Sequence, residues 1–273
     1  MKEGKRMENK AWKLYDCNAM LGSTIEAQGV SFADAQAMLR HMDRFGIDDS
    51  LVYGSLAKYY HAASGNERLI EMIRGVDRLR PVFVAMPGDT GEFWDMKTLR
   101  EKICAHRAAG IRLCPMLLSD GMRLESFSLK PWCVGEIMEL ADEMRLPVFL
   151  DMEVTHWSDP LPWDDIDRLC GLYPNAPVIL VRLGCGDHRD LFPVMRNHGN
   201  LYFEISYYAA HLGLEGVASR FGAEQMLFGT DAPVHAPACP IGQLYYSMLT
   251  EEQKAAIAGG NLRRLIGGIR YDG

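Results

Sequence analysis

Six ionisable residues stand where short apolar runs of the sequence end, and they carry most of the chemistry that the chain offers. They are Asp16, Arg112, Asp151, Arg182, Glu204 and Asp231. An ionised group inside an apolar core is costly unless it is paired. Their repetition at the ends of the runs therefore predicts a polar pocket, with structural ion pairs between neighbouring strands as the alternative.

The two arginines and the last aspartate indicate the type of reaction. A guanidinium binds a carboxylate through two parallel hydrogen bonds, so Arg112 and Arg182 predict a small anionic substrate. Asp231 is the candidate base, which would activate water or accept a proton from the substrate. His156 and His235 follow the fifth and the last predicted strands and are candidate acids or bases, although a histidine in a loop is usually just solvated.

Further polar side chains are candidates for substrate binding. We expect Asn18, Asp151, Glu204 and Tyr207, together with Arg112, to line the pocket. Each has a structural alternative, because buried carboxylates often form ion pairs and adjacent tyrosines more often pack. No cysteine spacing in the sequence supports a thiolate zinc site.

Eight short apolar runs, separated by amphipathic segments, are the elements that would position these residues. The predicted strands are Trp12–Asp16, Ser50–Tyr53, Pro81–Ala85, Gly110–Leu113, Pro147–Leu150, Val178–Val181, Leu201–Ile205 and Met226–Phe228. Their apolar character is continuous, as in parallel strands buried on both faces.

Alternation of such strands with helices predicts a single (β/α)8 TIM barrel, whose site would lie at the carboxyl ends of the strands. An open doubly wound sheet is the alternative, but the chain lacks the GxGxxG and GxxxxGK[ST] loops of nucleotide-binding folds. Ser31 and Asp34 predict the start of the first helix as a capping box, and Thr250 and Gln253 begin the last one. The long stretch Met116–Pro131 is predicted to be an irregular loop.

Length, charge and composition exclude several classes of protein. The chain has 273 residues and a formal net charge of −7 without any run of Lys or Arg, which argues against nucleic-acid binding. No apolar stretch reaches the roughly 18–20 residues of a membrane span. Residues 1–12 are polar and lack the apolar segment of a signal peptide, so we expect a frayed leader before a barrel domain of residues 13–273.

The cysteines indicate a reducing compartment. All seven are scattered singly without a CxxC pair, which predicts a cytoplasmic protein with free thiols rather than a disulfide framework. The sequence leaves the oligomeric state open, and a homo-oligomer is one alternative.

Five segments in order resemble the amidohydrolase-related (amidohydrolase 2) family of TIM-barrel metal-dependent hydrolases. Residues 16–22 (DCNAMLG) are similar to the first-strand motif, normally Asp-x-His-x-His-x-Gly. Residues 146–151 and 178–184 are similar to the fifth and sixth strands, both of which normally end in histidine. Residues 228–233 (FGTDAP) are similar to the last-strand motif with its aspartate, and residues 259–265 to the closing segment.

Most positions that hold the family's metal ligands carry other residues in this chain, so its metal site is degenerate. The replacements are Asn18 and Met20 on the first strand, Asp151 on the fifth and Arg182 on the sixth, with Arg112 where lysine is frequent. Of the usual ligand set only Asp231 is retained.

These departures predict that no metal cofactor is needed. We expect Arg182 to pair with Asp231 and to supply the positive charge that the metal supplies in the family. The alternative is a divalent ion held by carboxylate oxygens, against which the guanidinium of Arg182 argues. Its ligands would be Asp16, Asp151, Glu204 and Asp231.

The resemblance implies hydrolysis of amides, esters or lactones, with decarboxylation as a family variant. We therefore expect an enzyme that acts on a small carboxylate-bearing substrate, with Asp231 as base and with Arg182 and Arg112 as anion binders. The alternative is an inactive barrel, a pseudoenzyme that has kept its fold for binding or assembly. An active site should be open to substrate, whereas an inactive one should have its charges closed into ion pairs.

Overall fold

A computed structural model of the chain has the predicted architecture, a parallel (β/α)8 barrel. The structure describes residues 12–23, 30–119, 122–151 and 161–272. The strands in these residues are β1 (Leu14–Leu21), β2 (Ile47–Gly54), β3 (Leu79–Ala85), β4 (Gly110–Leu113), β5 (Met116–Ser119), β6 (Met122–Ser126), β7 (Val148–Asp151), β8 (Val178–Val181), β9 (Leu201–Glu204) and β10 (Met226–Leu227).

All of these strands except β5 and β6 form one sheet of eight parallel strands, in the order β1-β2-β3-β4-β7-β8-β9-β10. Each of the eight predicted strands corresponds to one of them. The segment after β10 closes the barrel, because Ala19 and Ala232 form a parallel bridge. The amide of Asp231 also donates to the carbonyl of Asn18 at 2.8 Å. Closure thus places the last-strand aspartate directly beside the first strand.

Helices follow the strands and cover the outside of the barrel. They are α1 (Ala35–Phe45), α2 (Ser55–Tyr59), α3 (Ala62–Ile73), α4 (Met96–His106), α5 (Pro131–Met144), α6 (Trp163–Leu172), α7 (His188–Asn197), α8 (Gly213–Phe221), α9 (Ala238–Tyr246), α10 (Glu251–Ala255) and α11 (Asn261–Gly267). The predicted capping box at Thr250 and Gln253 is present. The first helix differs from its prediction, because Asp34 rather than Ser31 is its N-cap and accepts from the amide of Ala37.

Two further differences from the sequence expectations lie near the ends of predicted segments. The stretch Met116–Pro131 is not all irregular, because β5 and β6 pair as antiparallel strands. The sequence pattern of this stretch did not predict these two strands. Trp12, where the predicted leader and the first predicted strand overlap, is 8% exposed and belongs to the core. Residues 1–11 of that leader lie outside the described residues.

The core is one continuous cluster of strand and helix side chains. The strands are short, so their carboxyl ends and the loops that follow them form one polar face above this core. None of the helices in the described residues has the length and apolar content that crossing a bilayer requires.

Candidate active site

The carboxyl ends of the strands bring the predicted residues into one buried group. Asp16 and Asn18 come from β1, Arg112 from β4, Asp151 from β7 and Glu204 from β9, and each is at most 1% exposed. Asp231 follows β10 and is equally buried, and Arg182 follows β8. His156, a predicted acid or base, lies outside the described residues.

One half of this group is built around Asp151. Its Oδ2 accepts hydrogen bonds from Arg112 Nε at 2.9 Å and Nη2 at 2.6 Å. Lys58 Nζ, which enters from α2, lies 3.1 Å from the same oxygen. Burial alone would raise the pKa of Asp151, but the neighbouring Arg112 and Lys58 hold it well below its usual value. Asp151 is therefore ionised and shared between two buried cations.

Asn18 connects the two halves. Its Oδ1 accepts from Arg112 Nη1 at 3.0 Å, while its Nδ2 donates to Glu204 Oε1 and to Asp231 Oδ1, both at 3.3 Å. A carboxamide can do this because it has both an acceptor and two donors. The residue that stands in place of a family histidine thus bridges a cation and two carboxyl groups.

The other half is built around Asp231. Its Oδ1 accepts from Arg182 Nε at 3.1 Å, and its Oδ2 lies 2.7 Å from Nδ1 of His235. The His235 side chain is 33% exposed, and its ring meets the exposed ring of Tyr207 edge to face at 4.4 Å. The pairing of Arg182 with Asp231 is therefore present, and His235 connects the pair to the surface.

The backbone at this second pair is strained. Arg182 has a φ of 58° and Asp231 has a φ of 52°, both in the left-handed region that residues with a Cβ rarely adopt. Such conformations concentrate at functional sites, where surrounding structure holds them in place. The backbone amide of Arg182 also donates to Glu204 Oε1 at 2.8 Å, which fixes the turn after β8.

Two carboxyl groups in the site accept hydrogen bonds and form no ion pair with any residue that the structure describes. Asp16 accepts from the amides of Asn18 and Thr230 at 3.0 and 2.9 Å and from the Thr230 hydroxyl. Glu204 accepts from the amide and the hydroxyl of Ser206 at 2.6 and 2.7 Å. Burial raises the pKa of Asp16 to about 7 and also raises the pKa of Glu204. Both groups can therefore carry a proton inside the folded protein.

The donor set does not fit the metal that the family implies. Asp151, Asp231 and Asp16 each already use one carboxylate oxygen to accept a hydrogen bond from Arg112, Arg182 or Thr230. Within the described parts of the chain, no group of three or more His, Cys, Asp or Glu side chains is arranged to hold a metal ion. The positive charge beside these carboxylates is thus supplied by the guanidinium groups of Arg112 and Arg182 and by the ammonium group of Lys58.

A cavity of about 470 Å³ opens beside the Asp151 half, above β2, β3 and β4. Lys58, Met86, Cys114 and Phe127 contribute to its lining, and His61 lies at its rim. Cys114 Sγ lies 4.0 Å from Asp151 Oδ2, so the cavity reaches the charged group. The larger cavity of about 530 Å³ lies at the opposite face, where residues precede the strands, away from every predicted site residue.

Lys58 and Tyr53 belong to the site although the sequence did not single them out. The guanidinium carbon of Arg112 lies 3.8 Å from the centre of the Tyr53 ring. Tyr53 reads as one more apolar residue of a strand, and only its position near the carboxyl end of β2 could have indicated a role. Lys58 lies outside the predicted strands, yet it follows the end of β2 by four residues.

Comparisons with known proteins agree with this architecture. The chain aligns over 94% of its length with an uncharacterised TIM-barrel protein of Bordetella bronchiseptica (99% of that chain, 16% identity, TM-score 0.72). A dihydroxybenzoic acid decarboxylase of Polaromonas, solved with manganese and 2-nitroresorcinol, aligns over 94% of this chain and 97% of its own (16% identity, TM-score 0.68). A putative amidohydrolase of Staphylococcus aureus aligns over 93% and 99% (14% identity, TM-score 0.70).

At these identities the solved structures show a common fold and no more. No curated protein matches the sequence. The family model for amidohydrolases, in contrast, matches residues 33–268, which is most of the chain and includes every described strand from β2 to β10. The chain therefore belongs to the amidohydrolase family.

Proposed function

We propose that this chain is a hydrolytic enzyme for small carboxylate-bearing substrates, with His235 and Asp231 as its acid–base pair. The observation that carries the proposal is the 2.7 Å contact between His235 Nδ1 and Asp231 Oδ2. A buried carboxylate beside a partly exposed imidazole is the arrangement that orients a histidine for proton transfer.

The tautomer of His235 follows from this contact. An ionised carboxylate only accepts hydrogen bonds, so His235 must carry its proton on Nδ1. Nε2 then keeps a lone pair and can act as the base. Asp231 is 1% exposed, so we assign it the positioning of His235 rather than direct proton abstraction.

The hydrolytic step uses groups that the site already contains. His235 Nε2 takes a proton from water, and the hydroxide oxygen bonds to the carbonyl carbon of an ester or lactone. The negative charge that develops on the carbonyl oxygen is stabilised by the Arg182 guanidinium. The intermediate then collapses, the bond to the leaving oxygen breaks, and this oxygen receives the proton from His235.

The cations support a substrate that carries a carboxylate. Lys58, Arg112 and Arg182 lie around two ionised carboxylates, and guanidinium groups favour oxyanions. The decarboxylase of similar fold acts, by its name, on dihydroxybenzoic acid. Decarboxylation of such a substrate is therefore the variant that the proposal admits beside hydrolysis. Neither hydrolysis nor decarboxylation is assigned a metal-dependent step, because the side chains of the site do not fit a metal ion.

One observation favours the alternative of an inactive barrel. Arg112 and Asp151 are 1% and 0% exposed and are closed into an ion pair, as expected where a barrel has kept charged residues for stability alone. The second pair, however, reaches solvent through His235. We therefore rank the enzyme first; a cytoplasmic location and a homo-oligomer stay predictions.

A substrate screen tests the proposal. Esters and lactones that carry a free carboxylate, with hydroxybenzoic acids as the decarboxylation arm, are incubated with the wild-type protein and with His235→Asn. The proposal expects turnover by the wild type alone. Absence of turnover across the whole panel, with the protein folded, would favour the inactive barrel.

A further inference from the structure

Two buried polar atoms in the charged group lack a hydrogen-bond partner among the described residues. They are the hydroxyl oxygen of Tyr53 and Oδ1 of Asp151. Buried polar atoms are almost always hydrogen-bonded, by protein, by water or by a ligand. Two such atoms in one group therefore offer hydrogen-bonding positions that water or a ligand can occupy.

The two atoms belong to side chains on either side of Arg112. Tyr53 lies against the guanidinium at 3.8 Å, and Asp151 binds the same guanidinium through its other oxygen. Both side chains come from the carboxyl ends of strands, β2 and β7, and the residues are 2% and 0% exposed. The same group of charges, Lys58 and Arg182 included, acts on Tyr53.

The chemistry of each atom limits what it can bind. Asp151 is ionised, because Arg112 and Lys58 hold its pKa well below the usual value, so its Oδ1 needs a hydrogen-bond donor. Tyr53 is neutral, because burial raises its pKa to about 12, so its hydroxyl can donate to an oxygen. Three nearby cations favour an anionic oxygen there and disfavour an ammonium group.

We propose that Tyr53 and Asp151 form a subsite for a hydroxycarboxylate, in which Tyr53 donates to a carboxylate oxygen and the neighbouring ligand hydroxyl donates to Asp151 Oδ1. This deepens the proposed function and rests on it, since it names the class of carboxylate that the site takes. Tyr53 and Asp151 then determine specificity, while His235, positioned by Asp231, transfers the proton.

Two matched pairs of acids test the subsite by calorimetric titration. Mandelate differs from phenylacetate, and lactate from propionate, only by a hydroxyl beside the carboxylate. The wild-type protein should bind the hydroxy acid of each pair roughly 10-fold more tightly, because a hydrogen bond to a charged group is gained. Tyr53→Phe should weaken both members of a pair by roughly 10-fold and leave their ratio unchanged.

Stability and a matched variant separate this role from a structural one. Because the Tyr53 hydroxyl has no hydrogen-bond partner among the described residues, Tyr53→Phe should leave the thermal midpoint unchanged or raise it. Tyr202→Phe, at the opposite face where the hydroxyl contacts Arg264 at 3.5 Å, should leave binding unchanged.

Three results would overturn the subsite: no saturable binding by the wild type, equal affinity for both members of each pair, or wild-type affinity in Tyr53→Phe. A wild-type protein that shows the expected binding and converts nothing in the substrate screen would instead remove the proposed reaction and leave the subsite standing. The two failures are therefore distinguishable.

Discussion

The site contains two pairs of the same chemical type, an arginine with an aspartate, and they differ in what surrounds them. Asp151 and Arg112 lie on regular strands and are at most 1% exposed, and Oδ2 of Asp151 contacts both Arg112 and Lys58. Asp231 and Arg182 both have positive φ values, and the Arg182 side chain is 11% exposed. Among the described residues, only the second pair contacts a histidine that is partly exposed.

This difference separates stability from chemistry. A closed pair of buried charges contributes little net stability, yet removing one partner is costly because the other charge stays buried. In the Arg182–Asp231 pair, the left-handed backbone is a strained conformation of the kind that is kept where it orients a functional side chain. We infer that Asp151 holds the barrel's charged interior together through Oδ2 and leaves Oδ1 for a ligand, while Asp231 orients the proton-transfer group.

The largest expected effect is on the rate of catalysis when Asp231 is replaced by Asn. An amide in place of the carboxylate lets His235 adopt the wrong tautomer, so kcat should fall by roughly 10³- to 10⁴-fold. Steady-state kinetics on the best substrate of the screen measures this. Asp167→Asn is the matched control, because it changes a second Asp–His contact, also at 2.7 Å, on the opposite face. An equal loss in the control, or none in Asp231→Asn, would break the distinction between the pairs.

The next largest effect is on stability, from Asp151→Asn. This change leaves Arg112 and Lys58 without their buried counter-charge and should lower the free energy of unfolding by about 3–5 kcal/mol. Urea unfolding followed by circular dichroism gives the value. A loss below about 1 kcal/mol, as for an exposed ion pair, would contradict a structural role for this buried pair.

A pH dependence of intermediate size is expected from Asp16. Its pKa is raised by burial to about 7 in the folded protein, from an ordinary value of 3.8. The folded state therefore binds the proton more tightly than the unfolded state, and the stabilisation, complete below pH 3.8, is lost as pH rises to about 7. The slope is at most about 1.4 kcal/mol per pH unit.

Asp16→Asn isolates this contribution, because Glu204 contributes a slope of the same sign in both proteins. The free energy of unfolding is measured from pH 4 to pH 8, roughly spanning the interval over which Asp16 ionises. The difference between wild type and variant should change steadily across that interval. A constant difference would show that Asp16 is ionised throughout.

The smallest effect is expected at an exposed ion pair. Arg68 and Glu71 lie 3.2 Å apart with side chains that are 62% and 57% exposed. Glu71→Gln should change the free energy of unfolding by less than about 0.5 kcal/mol, measured in the same urea titration as Asp151→Asn. If Glu71→Gln lowered the free energy of unfolding as much as Asp151→Asn does, burial could not explain why the two ion pairs differ in their contribution to stability.

The sequence was sufficient for the strands because their apolar runs are continuous and end abruptly in polar residues such as Arg112 and Asp151. It also predicted the Arg182–Asp231 pair, since residues at the ends of the sixth and last strands converge when a barrel closes. The hairpin of β5 and β6 was missed, because it lies among loop residues of mixed polarity rather than in an apolar run.

The site could be predicted only in part because its remaining contacts depend on tertiary geometry. Whether Lys58 turns inward from α2 is decided by packing of that short helix, and nothing in the local sequence encodes it. The role of Asn18 as a bridge requires three strand ends at fixed distances. The left-handed backbone at Asp231 has no sequence signal either, since such conformations are rare for residues with a Cβ.

The most direct test of the central claim, that Arg182, Asp231 and His235 act where the family uses a metal, is turnover before and after removal of divalent metals. The wild-type protein is dialysed against a chelator, its metal content is measured by elemental mass spectrometry, and hydrolysis is assayed with and without added Zn²⁺ or Mn²⁺. We expect an unchanged rate under all of these conditions, with His235→Asn inactive in each. Activity that disappears with the chelator and returns with the metal would contradict it.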